Sequence, residues 1–250
     1  MSRDSLGWRQ KFGVIAPSTN TVVQPEFDAM RPAGVTNHFS RIHIPNMALA
    51  NDDDFNALMD AIRENIMAAV DSVMSCEPDS LVMGMSVETF WDGLEGSLAF
   101  QRRIEERSGL KLAMGSDACR AALEALGPGI RRIAVITPYQ PVGDAQVRRF
   151  FTDCGFEVAG LKGLRCESPT AIAHVSERVL RDAMIELNGE GVQAIVQVGT
   201  NLAMARLAGV AEFWLDKPVV AINTATYWWA LRRAGIADRV AGFGALLERH

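Results

Sequence analysis

The sequence predicts an α/β protein built from two pseudo-symmetric parallel-sheet units, with an active site in the cleft between them. Three observations predict it. The first is an internal repeat: Phe12-Gly-Val-Ile-Ala-Pro-Ser-Thr-Asn20 is answered by Arg132-Ile-Ala-Val-Ile-Thr-Pro-Tyr139, and Ser80-Leu-Val-Met-Gly-Met-Ser86 by Ala194-Ile-Val-Gln-Val-Gly-Thr-Asn201. The segment from Leu112 to Gly127 is answered in the same order by the one from Val220 to Gly235. Self-similarity in a fixed order says more about fold than composition does. The second is alternation of short β-rich runs with helical patterns, which implies parallel sheets covered by helices. The third is that the apolar runs end in small hydroxyl and amide residues. In such folds ligands gather beyond the carboxyl ends of the strands.

The elements follow in order. Strand-like runs fall near 12–16, 39–44, 80–85, 132–136, 156–161, 193–198 and 218–222. Helical patterns fall near 53–75, 95–108, 116–126, 142–154, 170–188, 202–214 and 225–234. Asn51 followed by Asp52, Asp53 and Asp54 marks a helix start, where acidic groups suit the positive end of the dipole. Gly155, Gly189 and Gly191 stand where helices should stop. The expected units are 1–116 together with 225–250, and 117–224.

Composition bounds the function. The chain has 250 residues, 22% of them charged and 48% hydrophobic, as in ordinary globular proteins. A net charge of −5 argues against a nucleic-acid partner. No apolar run reaches the roughly 18 residues of a membrane helix, and residues 1–8 hold no apolar signal segment. A cytoplasmic enzyme is therefore expected. Cys76, Cys119, Cys154 and Cys166 form no C-x-x-C pair, and His38, His43, His174 and His250 have no metal spacing, so no metal or cofactor is expected. Trp228 and Trp229 in an apolar helix hint at a buried face and leave a homo-oligomer open.

The strand ends supply the candidate site. Pro17-Ser-Thr-Asn-Thr21 lacks the G-x-G-x-x-G pattern of dinucleotide binding. Ser18 and Asn20 suit a carboxylate or amide; Asn20 and Thr21 equally suit a turn cap. In the segment from Gly84 to Gly93, Ser86 and Thr89 offer hydroxyls and Glu88 an acid or base. Phe90 and Trp91 are either walls of the site or core. Met85 and Val87 flank Ser86. Tyr139, one of two tyrosines, can donate its phenol proton to a carboxylate or enolate oxygen. Gly199 admits close approach of a ligand, next to Thr200 and Asn201. Asn223 and Thr224 are either an anion-binding helix end or plain caps.

These motifs resemble the aspartate/glutamate racemase superfamily, nearest the branch of maleate cis-trans isomerase and arylmalonate decarboxylase. The best matches are Pro17-Ser-Thr-Asn20, Gly84-Met-Ser86, Thr137-Pro-Tyr139, Gly199-Thr-Asn201 and Gly242-Phe-Gly-Ala-Leu-Leu247. The resemblance implies two similar α/β domains with the site in their cleft. It also implies two catalytic cysteines, one near Met85 or Ser86 and one near Gly199 or Thr200. Neither place holds a cysteine here. A thiolate combines nucleophilicity with proton exchange near neutrality, so chemistry through paired thiolates is not expected. The decarboxylase's oxyanion pocket needs no cysteine.

The expectation is thus a cysteine-independent isomerase or lyase acting on a small carboxylic acid through an enolate-like oxyanion. Ser86, Tyr139, Glu88 and Thr200 are the expected catalytic residues. Ser18, Asn20, Met85, Val87, Gly199, Asn201 and Asn223 are expected to bind the substrate. His174 is a second nominee for proton transfer. Three alternatives stand beside it: a hydrolase of a small amide or lactam using Ser86 or water with Glu88 as base, a non-catalytic binder of small acids, and delivery of Cys166 by a mobile loop.

Overall fold

The repeat becomes two sheets of identical strand order. In a computed structural model that describes residues 4–250, β1 (Gln10–Pro17), β2 (Val35–Ile42), β3 (Ser80–Met83) and β4 (Leu112–Ala113) form one sheet. β5 (Arg132–Thr137), β6 (Glu157–Gly163), β7 (Ala194–Gln197) and β8 (Val219–Ala221) form the other. Their orders are β2-β1-β3-β4 and β6-β5-β7-β8, and every pairing is parallel. The repeated segments match as β1 with β5, β3 with β7, and β4 with β8. Phe12, Val14, Ile15 and Ala16 are wholly buried, the near-continuous apolar reading of a parallel strand covered on both faces.

Local chemistry sets the helices. α2 (Asp52–Met74) starts as its sequence predicts: the Asn51 side chain accepts from the Asp54 N–H at 3.0 Å. α3 (Gly93–Ser108), α4 (Gly115–Leu126), α5 (Pro141–Asp153) and α7 (Ala205–Leu215) lie within three residues of their expected bounds. α8 (Ile222–Arg233) begins three residues early. The pattern read as one helix over 170–188 is two pieces. Residues Ala171–His174 form a one-turn 3-10 helix, and α6 (Glu177–Leu187) starts anew behind Ser176, whose hydroxyl accepts from the Val179 N–H. Four elements escape the sequence reading: α1 (Val23–Met30), the one-turn 3-10 helix Val87–Phe90, β4 as a separate strand, and α9 (Ala245–Arg249). α1 carries Pro25 in its first turn, where the missing N–H has no helical partner to lose. β4 is only two residues long.

α8 leaves the second sheet and packs on α4, α1, β3 and β4. Gly115 makes that crossing possible, since a Cβ there would stand 2.5 Å from Ile222 Cδ1. Trp228 is buried within this chain, and half-buried Trp229 stacks on it and donates to Asp117 at 2.9 Å. The burial suggested by that tryptophan pair is therefore intramolecular for Trp228. Among the described residues no helix is long and apolar enough to cross a membrane.

Candidate active site

Four strand ends meet at the junction of the two sheets. β1 delivers Thr19 and Asn20, β3 delivers Met85, Ser86 and Val87, β5 delivers Pro138 and Tyr139, and Gly199, Thr200 and Asn201 follow β7. Together they line a small cavity of about 60 Å³. This is where parallel sheets present the loops at their carboxyl ends.

The polar centre is small and satisfied from both halves. Ser86 Oγ lies 2.6 Å from Tyr139 Oη and accepts from the Thr200 N–H at 3.2 Å. Thr200 Oγ1 donates to the Gly84 carbonyl and accepts from Asn20 Nδ2, each at 3.1 Å. The Asn20 carbonyl oxygen accepts from the N–H groups of Val22 and Val23. Asn201 Oδ1 accepts from the Thr21 N–H, and its Nδ2 donates to the Pro169 carbonyl. Asn20 and Asn201 thus line the cavity while their amides hold one half to the other. Thr89 Oγ1 donates to the Ser86 carbonyl at 2.6 Å and fixes the turn that presents Ser86.

Gly199 has φ of +112°, open to glycine, and a Cβ there would lie 2.6 Å from Pro138 Cδ. Behind Tyr139, Thr137 Oγ1 accepts from the Tyr139 N–H at 3.1 Å and donates to Asp144. Arg165 donates to both Asp144 and the Tyr139 carbonyl. Burial pushes the Asp144 carboxyl up, against the hydrogen bonds from Thr137 and Arg165 that favour its charged form. This network sets the backbone at Tyr139.

Among the described residues two ionisable side chains line the cavity, and burial favours the acid form of both. The Tyr139 phenol is pushed far above its ordinary value by desolvation, with the Ser86 hydrogen bond opposing. The Cys166 thiol is pushed up to about 11 by burial, with Glu167 adding to the rise. No Lys, Arg or His is among the described residues that line the cavity.

The other predicted residues lie elsewhere. Glu88 is buried but does not line the cavity; its carboxylate accepts from Arg63 Nε, 3.1 Å from each oxygen, with Arg103 at 3.9 Å, in a separate surface groove. The Glu88 carboxylate is thus paired with Arg63 and faces away from Ser86. His174 is exposed and outside the wall. The Ser18 hydroxyl ties the end of β1 to the backbone of Ile44. Asn223 stands behind the wall, where Nδ2 donates to the Thr200 carbonyl at 2.9 Å. Phe90 is core, packed on Phe150 and Phe151.

Cys166 needs no loop movement to reach the cavity, since it is already part of the wall. Its N–H donates to the Pro138 carbonyl at 3.0 Å, which ties the loop after β6 to the one after β5. The sequence reading missed the apolar wall of Leu49, Phe55, Leu58 and Ile62. The last three recur at helical spacing on α2 and look like ordinary core positions.

A family model for arylmalonate decarboxylase matches residues 12–247. The chain belongs to the arylmalonate decarboxylase family. A maleate isomerase of Pseudomonas putida is 28% identical, over 95% of this chain and 97% of that protein. A maleate cis-trans isomerase mutant of Nocardia farcinica, solved with a covalently bound succinylcysteine intermediate, superposes with a TM-score of 0.87 at 21% identity. That match covers 96% of this chain and 99% of the other. An arylmalonate decarboxylase structure superposes with a TM-score of 0.75 at 21% identity, covering 95% and 98% of the two chains. The arylmalonate decarboxylase family and this chain thus share one α/β fold over almost their full length.

Proposed function

We propose that this protein is a cofactor-independent enzyme of the maleate isomerase and arylmalonate decarboxylase type. It acts on a small carboxylic acid through an enolate-like oxyanion. The carrying observation is the Ser86–Tyr139–Thr200 cluster, with Ser86 Oγ 2.6 Å from the phenol and 3.2 Å from the backbone nitrogen.

Loss of a proton to a solvent water, or of carbon dioxide, beside a carboxylate leaves an electron pair that spreads onto oxygen, and the carbon then takes a proton back from solvent to give the product acid. The Thr200 N–H is given to Ser86 Oγ and one of the two hydroxyl protons to the other hydroxyl, so an oxyanion replaces these bonds and draws on donors already gathered in a largely apolar cavity. Such donors stabilise developing charge with little reorganisation. Tyr139 suits this task because burial keeps its proton on. The apolar wall of Leu49, Phe55, Leu58 and Ile62 excludes water and strengthens each of these interactions. Met85, Val87 and Gly199 shape the cavity, while Asn20, Asn201 and Asn223 hold its loops. Ser18 anchors the end of β1. In this reading the functional units are 1–116 with 225–250, and 117–224.

Oxyanion stabilisation requires no thiolate. A thiol raised to about 11 is almost entirely protonated at neutral pH, so Cys166 is a poor nucleophile there. Hydrolysis through Ser86 is disfavoured, because the hydroxyl has a phenol and an N–H for partners and no base.

Turnover is to be measured on dicarboxylates, 2-substituted malonates and cyclic amides, with product analysis. Isomerised or decarboxylated acid is the expected product. Hydrolysis of the cyclic amides alone would overturn the reading in favour of a hydrolase. Binding of these acids without turnover would make the protein a binder.

A further inference from the structure

Behind the cavity wall a carboxylate from the first half reaches into the second. Glu26, on α1, is half-buried. One of its oxygens accepts from Asn223 Nδ2 at 2.6 Å, and the other accepts from the Ala205 N–H at 3.0 Å. Asn223 Nδ2 also donates to the Thr200 carbonyl at 2.9 Å. Both amide protons of Asn223 are thereby committed, one to Glu26 and one to the loop that carries the Thr200 N–H. Ala205 opens α7, the element that follows this loop.

A continuous set of contacts therefore runs from Glu26 through Asn223 to Thr200, and from Thr200 through Ser86 to Tyr139. We infer that Glu26 is a positioning residue: it holds the Gly199–Asn201 loop so that the Thr200 N–H meets Ser86 Oγ at the cavity wall. Glu26 does not line that cavity, so it acts on substrate only through Asn223 and Thr200.

The chemistry favours a carboxylate at this position. The two donors come from different elements, and one carboxylate accepts both without offering a competing donor. An amide at the same place would turn an N–H towards one of them. Burial pushes the Glu26 carboxyl up, opposed by the hydrogen bonds from Asn223, Ala205 and Met204. Arg206, at the start of α7, adds a favourable positive charge. Removing the side chain leaves Asn223 free to rotate, and the Thr200 carbonyl loses a fixed donor. Its position relies on the functional reading above only for the consequence in turnover; the effect on the loop is independent of it.

The test uses Glu26→Ala and Glu26→Gln in the full chain, with two readouts. In the first, hydrogen–deuterium exchange of a peptide covering 198–204 is compared with that of peptides from β1 and β5. Glu26→Ala is expected to speed exchange in 198–204 and leave the strands unchanged; Glu26→Gln should lie between it and the wild type. In the second, kcat and KM are measured on the acid that the wild type turns over. A displaced oxyanion donor should lower kcat by roughly 10- to 100-fold with KM within a few-fold, because small misplacements carry costs of that order. Gln should restore part of the loss. Wild-type exchange and wild-type kcat in both variants would overturn the inference, as would faster exchange throughout the protein. If Glu26→Ala does not fold, the Gln variant decides by the same readouts. A wild type without turnover on any acid would sink the functional reading alone, and the exchange result would still decide the role of Glu26.

Discussion

Ser86 Oγ and Tyr139 Oη stand 2.6 Å apart, although the residues are separated by 53 positions and follow strands of different sheets. The hydrogen bond is possible because β3 and β5 end at the same junction. It is buried, and because Ser86 Oγ also accepts the Thr200 N–H, groups from three strand ends meet at one point of the cavity wall.

Removing the Tyr139 hydroxyl separates function from structure. Tyr139→Phe is expected to lower kcat by about 10²–10³-fold, the usual loss for one oxyanion donor. Folding should suffer only about 1 kcal/mol, the net worth of an ordinary hydrogen bond. Rate and thermal unfolding on one preparation measure both. A rate within a few-fold of wild type would remove Tyr139 from the chemistry.

Ser86→Ala should cost more stability than Tyr139→Phe. It takes away the partner of two buried groups, the Tyr139 phenol and the Thr200 N–H. A buried polar group left unpaired costs about 1–3 kcal/mol. Activity should fall by about 10²-fold or more. Urea unfolding and turnover check the two effects; a variant as active as wild type would refute the role given to Ser86.

Cys166→Ala is expected to keep activity within a few-fold, since no step asks for a thiolate. Burial pushes the thiol up to about 11, so alkylation by iodoacetamide should be slow at pH 7 and accelerate as pH rises towards that value. The sign follows from burial, which favours the neutral form. Mass spectrometry of the Cys166 peptide across pH measures it. Complete inactivation of a folded Cys166→Ala would make the thiol catalytic.

Glu88→Gln distinguishes a base from a structural anion. The carboxylate is paired with Arg63 outside the cavity, so kcat should stay within a few-fold. Stability should drop by about 2 kcal/mol as a charged hydrogen bond is weakened. A large fall in kcat with unchanged melting would restore Glu88 as a base.

Much of this was legible beforehand. The repeat gave both sheets and matched their strands in pairs, because the same apolar period and the same strand-end chemistry recur in each half. Tyr139, Ser86, Thr200, Asn20 and Asn201 are candidates by the rule that parallel strands present their C-terminal loops to ligands, and the fold brings all five to one cavity. Glu88 stands two residues from Ser86, but sequence proximity says nothing of direction. The one-turn helix over Val87–Phe90 turns its side chain towards Arg63 on α2.

The sequence by itself determined the two-unit α/β plan, the strand ends that carry polar groups, and the absence of cysteine from them. These are local or periodic properties, written in neighbouring residues. Only the tertiary structure decided which of those groups meet. It joined Ser86 to Tyr139, turned Asn20 and Asn201 to holding loops, put Cys166 in the wall, and brought Glu26 to Asn223 across 197 positions. Such contacts depend on how two sheets are set against each other, and no local pattern encodes that distance or that angle.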